Sequence, residues 1–254
     1  MNDTAATARV PASRQRAPQI RIHHEPGYVL HATPYKETSL VAQVFTRHHG
    51  RVALIAKGAK RPHSALRNAL SSLQPLLLDW TGRGDVKTLT GAHWVGGQAP
   101  LRGRALLCGF YCNELLLRLL AREDAHEDLF DAYVRTLARL GLGACDEAIL
   151  RSFERALLAA IGLGIDWTRC ANGTPVEPDV HYVCVPEYGI RPMRANEGDL
   201  PVVEGRTLLD LAADDFGRPR TAQQSKQLMR SLINHALTGR PINARQILID
   251  LHAL

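Results

Sequence analysis

The N-terminal third of the chain alternates short apolar runs with turn residues, a pattern typical of β-strands. Turn signals such as His49-Gly50 and Gly82-Arg83-Gly84-Asp85 separate the runs. The pattern predicts five strands, at residues 28–32, 39–46, 51–57, 74–80 and 86–90. Because five short strands linked mostly by hairpins suit a small barrel, we expect an OB-type barrel, with an SH3-like barrel as the alternative.

Beyond Pro100 the apolar positions recur every three or four residues, which predicts helices. The apolar stripes cover residues 106–120, 126–140, 146–161 and 221–237, with shorter helices at 208–213 and 243–251. Residues 165–204 are rich in Pro, Gly and Asn and are predicted to form an irregular insert. The expected fold class is α+β, with a five-stranded OB-type β-barrel at 25–98 followed by a mainly α-helical domain at 99–254.

Residues 1–24 contain four arginines and almost no bulky apolar side chain. Such a segment buries too little surface to offset its ordering entropy, so we expect a disordered basic tail. Two interpretations of this tail stay open: an arm that touches DNA and a dispensable extension.

Composition limits the class of protein. Hydrophobic residues make up 45% of the chain, an ordinary globular value. No apolar run approaches the roughly 20 residues that a membrane span needs. The first residues lack an apolar signal core, and the five cysteines follow no disulfide framework. We therefore expect a cytoplasmic protein without membrane contacts.

Charge is distributed unevenly along the chain. Residues 1–104 carry 15 Lys/Arg against 5 Asp/Glu, a net of +10, whereas residues 105–254 carry 16 against 20, a net of −4. The cationic loop Lys57-Gly58-Ala59-Lys60-Arg61 follows the third predicted strand. A basic barrel with such a loop indicates polyanion binding, and the competing interpretation is a solvated basic face.

The candidate DNA contacts are cations of the barrel half together with one aromatic residue. Of the four aromatic residues considered as stacking platforms, Tyr28, Tyr35, Phe45 and Trp80, we expect Phe45 and Trp80 in the barrel core and Tyr35 best placed to meet a base. The candidate set is Tyr35, Lys36, Arg47, Arg51, Lys57, Lys60, Arg61, Arg67 and Lys87. Such cations neutralise phosphates without reading sequence.

Catalytic and metal-binding motifs give little signal. The sequence contains no phosphate-binding loop, dinucleotide fingerprint or Gly-x-Ser-x-Gly elbow. Cys170 and Cys184 flank a turn as zinc ligands do, and His181 could be a third ligand. Because a structural zinc site needs four ligands, we expect no cofactor. An acidic run at a predicted helix start could hold a nuclease's cation, although a structural role at the positive end of the helix dipole is favoured. Its members are Glu123, Asp124, Glu127, Asp128 and Asp131.

Several motifs together resemble the RecO family of bacterial recombination mediators, from about Tyr28 to Leu251. In the first half these are Tyr28-Val-Leu-His31, Tyr35-Lys-Glu-Thr-Ser-Leu40, Thr46-x-x-x-Gly50, Lys57-Gly58-Ala59-Lys60-Arg61 and Leu73-Gln74-Pro75. In the second half they are Tyr111-x-Asn113-Glu114-Leu115-Leu116, Phe153-Glu154-x-x-Leu157-Leu158-x-x-x-Gly162, Asp166-Trp167-x-x-Cys170 and Pro186-Glu187-x-Gly189.

The resemblance implies an OB-fold DNA-binding domain and a helical domain whose insert binds zinc in relatives with four cysteines there. This chain has Gly173 where a second cysteine would follow Cys170, and it lacks the later pair, so the insert is expected to be a degenerate zinc finger. The implied function is DNA repair and homologous recombination without enzymatic chemistry. The family binds single- and double-stranded DNA and anneals complementary strands.

The implied partners are RecR, in some bacteria RecF, and indirectly RecA, which is loaded onto DNA coated by single-stranded DNA-binding protein (SSB). The family contacts the acidic, hydrophobic tail of SSB through its helical domain. Candidates for that contact are Arg118, Arg122, Arg135 and Arg139, whose other interpretation is a solvated helix face. The alternatives left open are an OB-fold RNA-binding module without annealing activity and a scaffold protein.

Overall fold

The computed structural model describes residues 20–143, 147–195, 200–238 and 242. Five strands form a closed barrel in the order β1-β2-β3-β5-β4, in which β3 and β5 are parallel and the other pairs are antiparallel. The strands are β1 (Arg21–Tyr35), β2 (Ser39–Thr46), β3 (Gly50–Ala56), β4 (Pro75–Thr81) and β5 (Val86–Trp94). The predicted OB-type barrel is confirmed.

The barrel closes around an apolar core because alternate side chains of each strand point inward. Val44 and Leu54 are fully buried, and Trp80 is 1% exposed, as expected for a core tryptophan. A short helix, α1 (Ala65–Ala69), connects β3 to β4 and was not predicted. It packs against β5 and thereby covers one end of the barrel.

The second half of the chain is mainly helical. Its helices are α2 (Gly103–Leu119), α3 (Glu127–Gly141), α4 (Glu147–Ala160), α5 (Gly205–Ala212) and α6 (Pro219–Ala236). They lie within a few residues of the predicted positions, because the apolar stripes are buried where the helices meet. The predicted helix at 243–251 lies outside the described residues. Among the described helices, none is both long and apolar enough to cross a membrane.

One sequence-based boundary and one sequence-based assignment were wrong. Residues 21–24, assigned to the tail, belong to β1, where Arg21 pairs with Thr81 and the backbone N–H of His24 donates to Asp79 Oδ1 at 2.7 Å. The insert is not irregular throughout, because it holds a sheet in the order β7-β6-β8. Its strands are β6 (His181–Val185), β7 (Gly189–Pro192) and β8 (Val202–Glu204).

The barrel and the helical domain share one apolar core. The Tyr28 ring lies 5.2 Å from the Tyr133 ring, and Phe45 lies 5.4 Å from Phe130. Asn113 Nδ2 donates to the Leu30 carbonyl at 3.0 Å. The buried Asn113 Oδ1 accepts a bond from the Tyr133 hydroxyl at 2.5 Å. Breaking this network would leave buried polar atoms unpaired, so it fixes how the two parts dock.

Candidate nucleic-acid interface

The cationic loop after β3 is held by its backbone and by one small side chain. Gly58 has a φ of +70°, a conformation that glycine adopts without strain. The Arg61 N–H donates to the Gly58 carbonyl at 3.0 Å, which closes the turn. Ala59 is fully buried, whereas Lys57, Lys60 and Arg61 are exposed. The loop is therefore anchored by an apolar residue and presents its three cations to solvent.

The turn between β1 and β2 lies beside this loop, because the Lys60 N–H donates to the Thr38 carbonyl at 2.9 Å. Tyr35, at the end of β1, is 41% exposed. The Lys36 ammonium lies 5.4 Å from the centroid of the Tyr35 ring, within cation–π distance. Tyr35 and Lys36 therefore join the cations of the loop on one surface.

The same end of the barrel carries Arg67, which is exposed on α1. We call this surface the cationic rim, consisting of Tyr35, Lys36, Lys57, Lys60, Arg61 and Arg67. None of its five cations forms a salt bridge within the described part of the chain. A cluster of unpaired positive charge at one end of an OB barrel is the type of surface that binds phosphate backbones.

The other three candidate residues lie at the opposite end of the barrel, against the helical domain. The Arg47 guanidinium contacts both carboxylate oxygens of Asp131, at 2.6 and 3.0 Å, and Glu127 at 3.4 Å. The hydrogen bond to Asp131 raises the pKa of Arg47. Lys87 is almost buried and forms a salt bridge with Glu123. Both cations thus attach the helical domain to the barrel.

Arg51 has the same role. Its guanidinium donates to the Leu120 carbonyl at 3.1 and 3.3 Å and to Gln43 Oε1 at 3.2 Å. Burial, and secondarily the charge of Arg122, lowers the pKa of Arg51. The sequence could not separate these three cations from the cationic rim by charge alone. The only signal was the acidic run after residue 122, which supplies the partners of Arg47 and Lys87.

The acidic run faces the barrel rather than a cation site. Glu123, Glu127 and Asp131 pair with cations of the barrel, which favours the structural interpretation over a nuclease site. Across the described ranges, no group of three or more His, Cys, Asp or Glu residues is arranged to hold a metal ion.

The cysteines of the insert are packed into it. Cys170 and Cys184 are both buried, and His181 is exposed. Burial raises the pKa of the Cys184 thiol to about 12, which opposes the thiolate form that binds zinc.

Sequence reasoning overlooked Trp94. It is 63% exposed, whereas Trp80 and Trp167 are 1% and 8% exposed. Its position at the end of β5, directly before Val95-Gly96-Gly97, was the available signal, because a strand that ends in glycines leaves its last side chains uncovered.

The closed OB barrel has a rim of cations without salt-bridge partners among the described residues, and a helical domain is docked on the barrel. These features are typical of OB-fold proteins that bind nucleic acid. The family model "Recombination protein O N terminal" matches residues 20–98, and "Recombination protein O C terminal" matches residues 101–242. The chain therefore belongs to the RecO family.

Similar proteins carry the name DNA repair protein RecO. The protein from Ralstonia nicotianae is 54% identical, covering 96% of this chain and 89% of the relative. The protein from Burkholderia pseudomallei is 52% identical over 94% of this chain and 87% of its own length. The protein from Aromatoleum aromaticum is 52% identical over 92% of this chain and 98% of its own length.

Proposed function

We propose that this chain is a DNA repair and recombination mediator that binds single- and double-stranded DNA and anneals complementary single strands. Family membership supports a role in repair and recombination. The observation that carries the proposal is the cationic rim, whose five cations are exposed and form no salt bridge among the described residues.

Annealing requires two polyanions to approach each other while their bases stay free to pair. A surface that contacts phosphates more than bases lowers the repulsion without blocking pairing. Five cations around one aromatic side chain suit this balance. No bond is made or broken, so the proposed activity needs no catalytic residue, and we propose no metal cofactor.

The proposed partners follow the family. Together with RecR, and with RecF in bacteria whose pathway uses it, the protein would assist RecA loading onto DNA coated by SSB. We propose a cytoplasmic location at the nucleoid, where these partners and the DNA lie.

We further propose a place for the acidic, hydrophobic tail of SSB. A cleft of about 290 Å³ lies against α3, α4 and α6, with Phe216 and Ala148 as apolar lining and Arg139 and Arg151 as cations. Two carboxylates also line it, and each has a cationic partner: Glu147 pairs with Lys226 and Asp214 with Arg155. Arg151 Nη2 donates to Glu154 Oε1 at 2.6 Å, but its buried Nε has no hydrogen-bond partner, and Arg139 has no salt bridge, within the described residues. Because both carboxylates already pair with other cations, Arg139 beside the apolar lining suits an acidic, hydrophobic peptide.

The four arginine candidates for this contact differ in their surroundings. Arg118 pairs with Glu114, and Arg122 lies next to Arg51. Arg135 is exposed one turn before Arg139 on α3 and does not line the cleft. Arg139→Glu should weaken binding of an SSB tail peptide at least about tenfold, whereas Arg135→Glu should have little effect. Calorimetric titration would measure this, and equal binding by both variants would contradict the assignment.

The cationic rim is tested by DNA binding at several salt concentrations. The variant Lys57→Ala/Lys60→Ala/Arg61→Ala should bind single-stranded DNA more weakly, and its salt slope should fall by about 2, since three phosphate contacts are lost. The control Arg206→Ala/Arg220→Ala/Arg230→Ala removes three exposed arginines of α5 and α6 and should leave both unchanged. An unchanged slope in the first variant would assign DNA binding to another surface. Preference for RNA in a competition assay would support the RNA-binding alternative instead.

A further inference from the structure

Trp94 lies uncovered at the end of β5 but is held in place. Its Nε1 donates to Gln74 Oε1 at 3.2 Å, which orients the indole ring. Val95, its neighbour, is 58% exposed, and its backbone N–H donates to the Pro75 carbonyl at 3.1 Å. The aromatic surface is therefore presented to solvent on a fixed strand and not on a loose loop.

The segment after Trp94 is fixed as well. Gln98 Nε2 donates to the Leu73 carbonyl at 2.6 Å, and Gln98 Oε1 accepts a bond from the Tyr28 hydroxyl at 3.2 Å. Between these anchors Gly96 and Gly97 add no side chain that would cover the indole, and no atom lies within 4 Å of where their Cβ would be. The indole face thus stays accessible.

Two observations relate β5, whose last residue is Trp94, to the cationic rim. Because β3 and β5 are parallel, with Ile55 opposite Thr88, the loop after β3 and the second half of β5 extend in the same direction. The helix α1, which carries Arg67, packs against β5. Single-strand binders combine a base platform with a phosphate-binding surface, and the exposed, oriented ring of Trp94 supplies the first while the cationic rim supplies the second.

We propose that Trp94 stacks on a nucleobase of single-stranded DNA whose phosphates lie along the cationic rim. This inference rests on the proposed DNA binding and adds to it a residue that distinguishes single strands from duplex. A base stacks on an indole only when it is free of its own stack, so paired DNA gains nothing from Trp94. Such a contact would bias the protein toward unpaired strands, the substrate of annealing.

Tryptophan fluorescence provides a direct test. Trp80 and Trp167 are buried, so Trp94 supplies the solvent-accessible emission of the chain's three tryptophans. A dT oligonucleotide of about 16 nucleotides, the upper site size of one OB fold, should quench this emission. Trp94→Phe should lose the quenched signal and keep most of the affinity, because phenylalanine also stacks.

Trp94→Ala should bind the dT oligonucleotide about 5- to 100-fold more weakly, with an unchanged salt slope and unchanged affinity for duplex DNA. The matched control is Tyr188→Ala, which removes an aromatic residue of the insert that is 79% exposed. Wild-type affinity of Trp94→Ala for dT, or equal losses for dT and duplex, would overturn the inference while the proposed DNA binding stands. Failure of the wild-type protein to bind either DNA would overturn both.

Discussion

At the scale of single residues, Tyr28 connects the barrel to the helical domain. Its side chain is 3% exposed, and its ring packs against Phe130 and Tyr133 of α3. Its hydroxyl donates to Gln98 Oε1. Burial raises the pKa of Tyr28 to about 12. The folded state therefore keeps this proton at a pH where the unfolded chain has released it.

This shift predicts a loss of stability at alkaline pH. An unfolded tyrosine ionises near pH 10, so between about pH 10 and 12 the unfolded state binds fewer protons and the free energy of unfolding falls. Tyr28→Phe should remove about 2–3 kcal/mol of that decline, at the cost of about 1 kcal/mol near pH 7 for the lost hydrogen bond. Urea unfolding at several pH values measures both effects. Tyr35→Phe, which alters an exposed tyrosine, is the control, and equal pH profiles for wild type and Tyr28→Phe would contradict the prediction.

The sequence predicts in part which side chains are buried, but it does not predict which residues they contact. The position of Trp80 in the barrel core is confirmed. Phe45, expected there as well, is buried on the other face of β2, where it packs against Phe130 and Tyr133 of the helical domain. The exposure of Trp94 and the carboxylate partners of Arg47 depend on which surfaces the fold brings together. Arg47 and Arg61, both expected from the sequence to contact DNA, thus lie at opposite ends of the barrel.

At the scale of elements, the segment from α2 to α3 docks on the β2–β3 end of the barrel. Gly50 allows this approach, because a Cβ there would lie 1.9 Å from the carbonyl oxygen of Asp124. The Glu123 N–H donates to the Arg51 carbonyl at 3.0 Å, so backbone bonds add to the ion pairs. The acidic run of the helical domain therefore neutralises one end of the basic barrel and leaves the other end unpaired.

Arg47 and Lys57 should accordingly behave in opposite ways. Arg47→Ala should lower the free energy of unfolding, and a double-mutant cycle with Asp131→Ala should give a favourable coupling, which is small because both side chains are partly exposed. The salt slope of DNA binding should stay unchanged in Arg47→Ala. Lys57→Ala should reduce the slope and leave stability unchanged. If Arg47→Ala reduces the slope as Lys57→Ala does, the division of the two ends is wrong.

Most elements could be predicted because periodicity is a local property of the chain. The elements that were missed depend on distant pairing or are short. The start of β1 is fixed by the pairing of Arg21 with Thr81 across the barrel closure. The strands of the insert are only three to five residues long and lie between prolines and glycines, where alternation gives no usable signal.

At the scale of the whole molecule, the structure shows where the charges of the two halves of the chain lie. The second half covers Arg47, Arg51 and Lys87, and five cations of the first half are presented at the cationic rim. The sequence could predict a basic barrel and a family, because composition and motifs carry that information. It could not predict which cations face solvent, because that depends on where the helical domain docks.

The most direct measurement is the annealing of two complementary oligonucleotides, free or coated with SSB, by the wild-type protein and by Lys57→Ala/Lys60→Ala/Arg61→Ala. We expect the wild-type protein to accelerate annealing on both substrates. The triple variant should be slower by about tenfold or more, because it holds fewer phosphates. The control Arg206→Ala/Arg220→Ala/Arg230→Ala should match the wild type. Wild-type annealing by the triple variant at the rim would contradict the assignment of the cationic rim as the surface that brings two strands together.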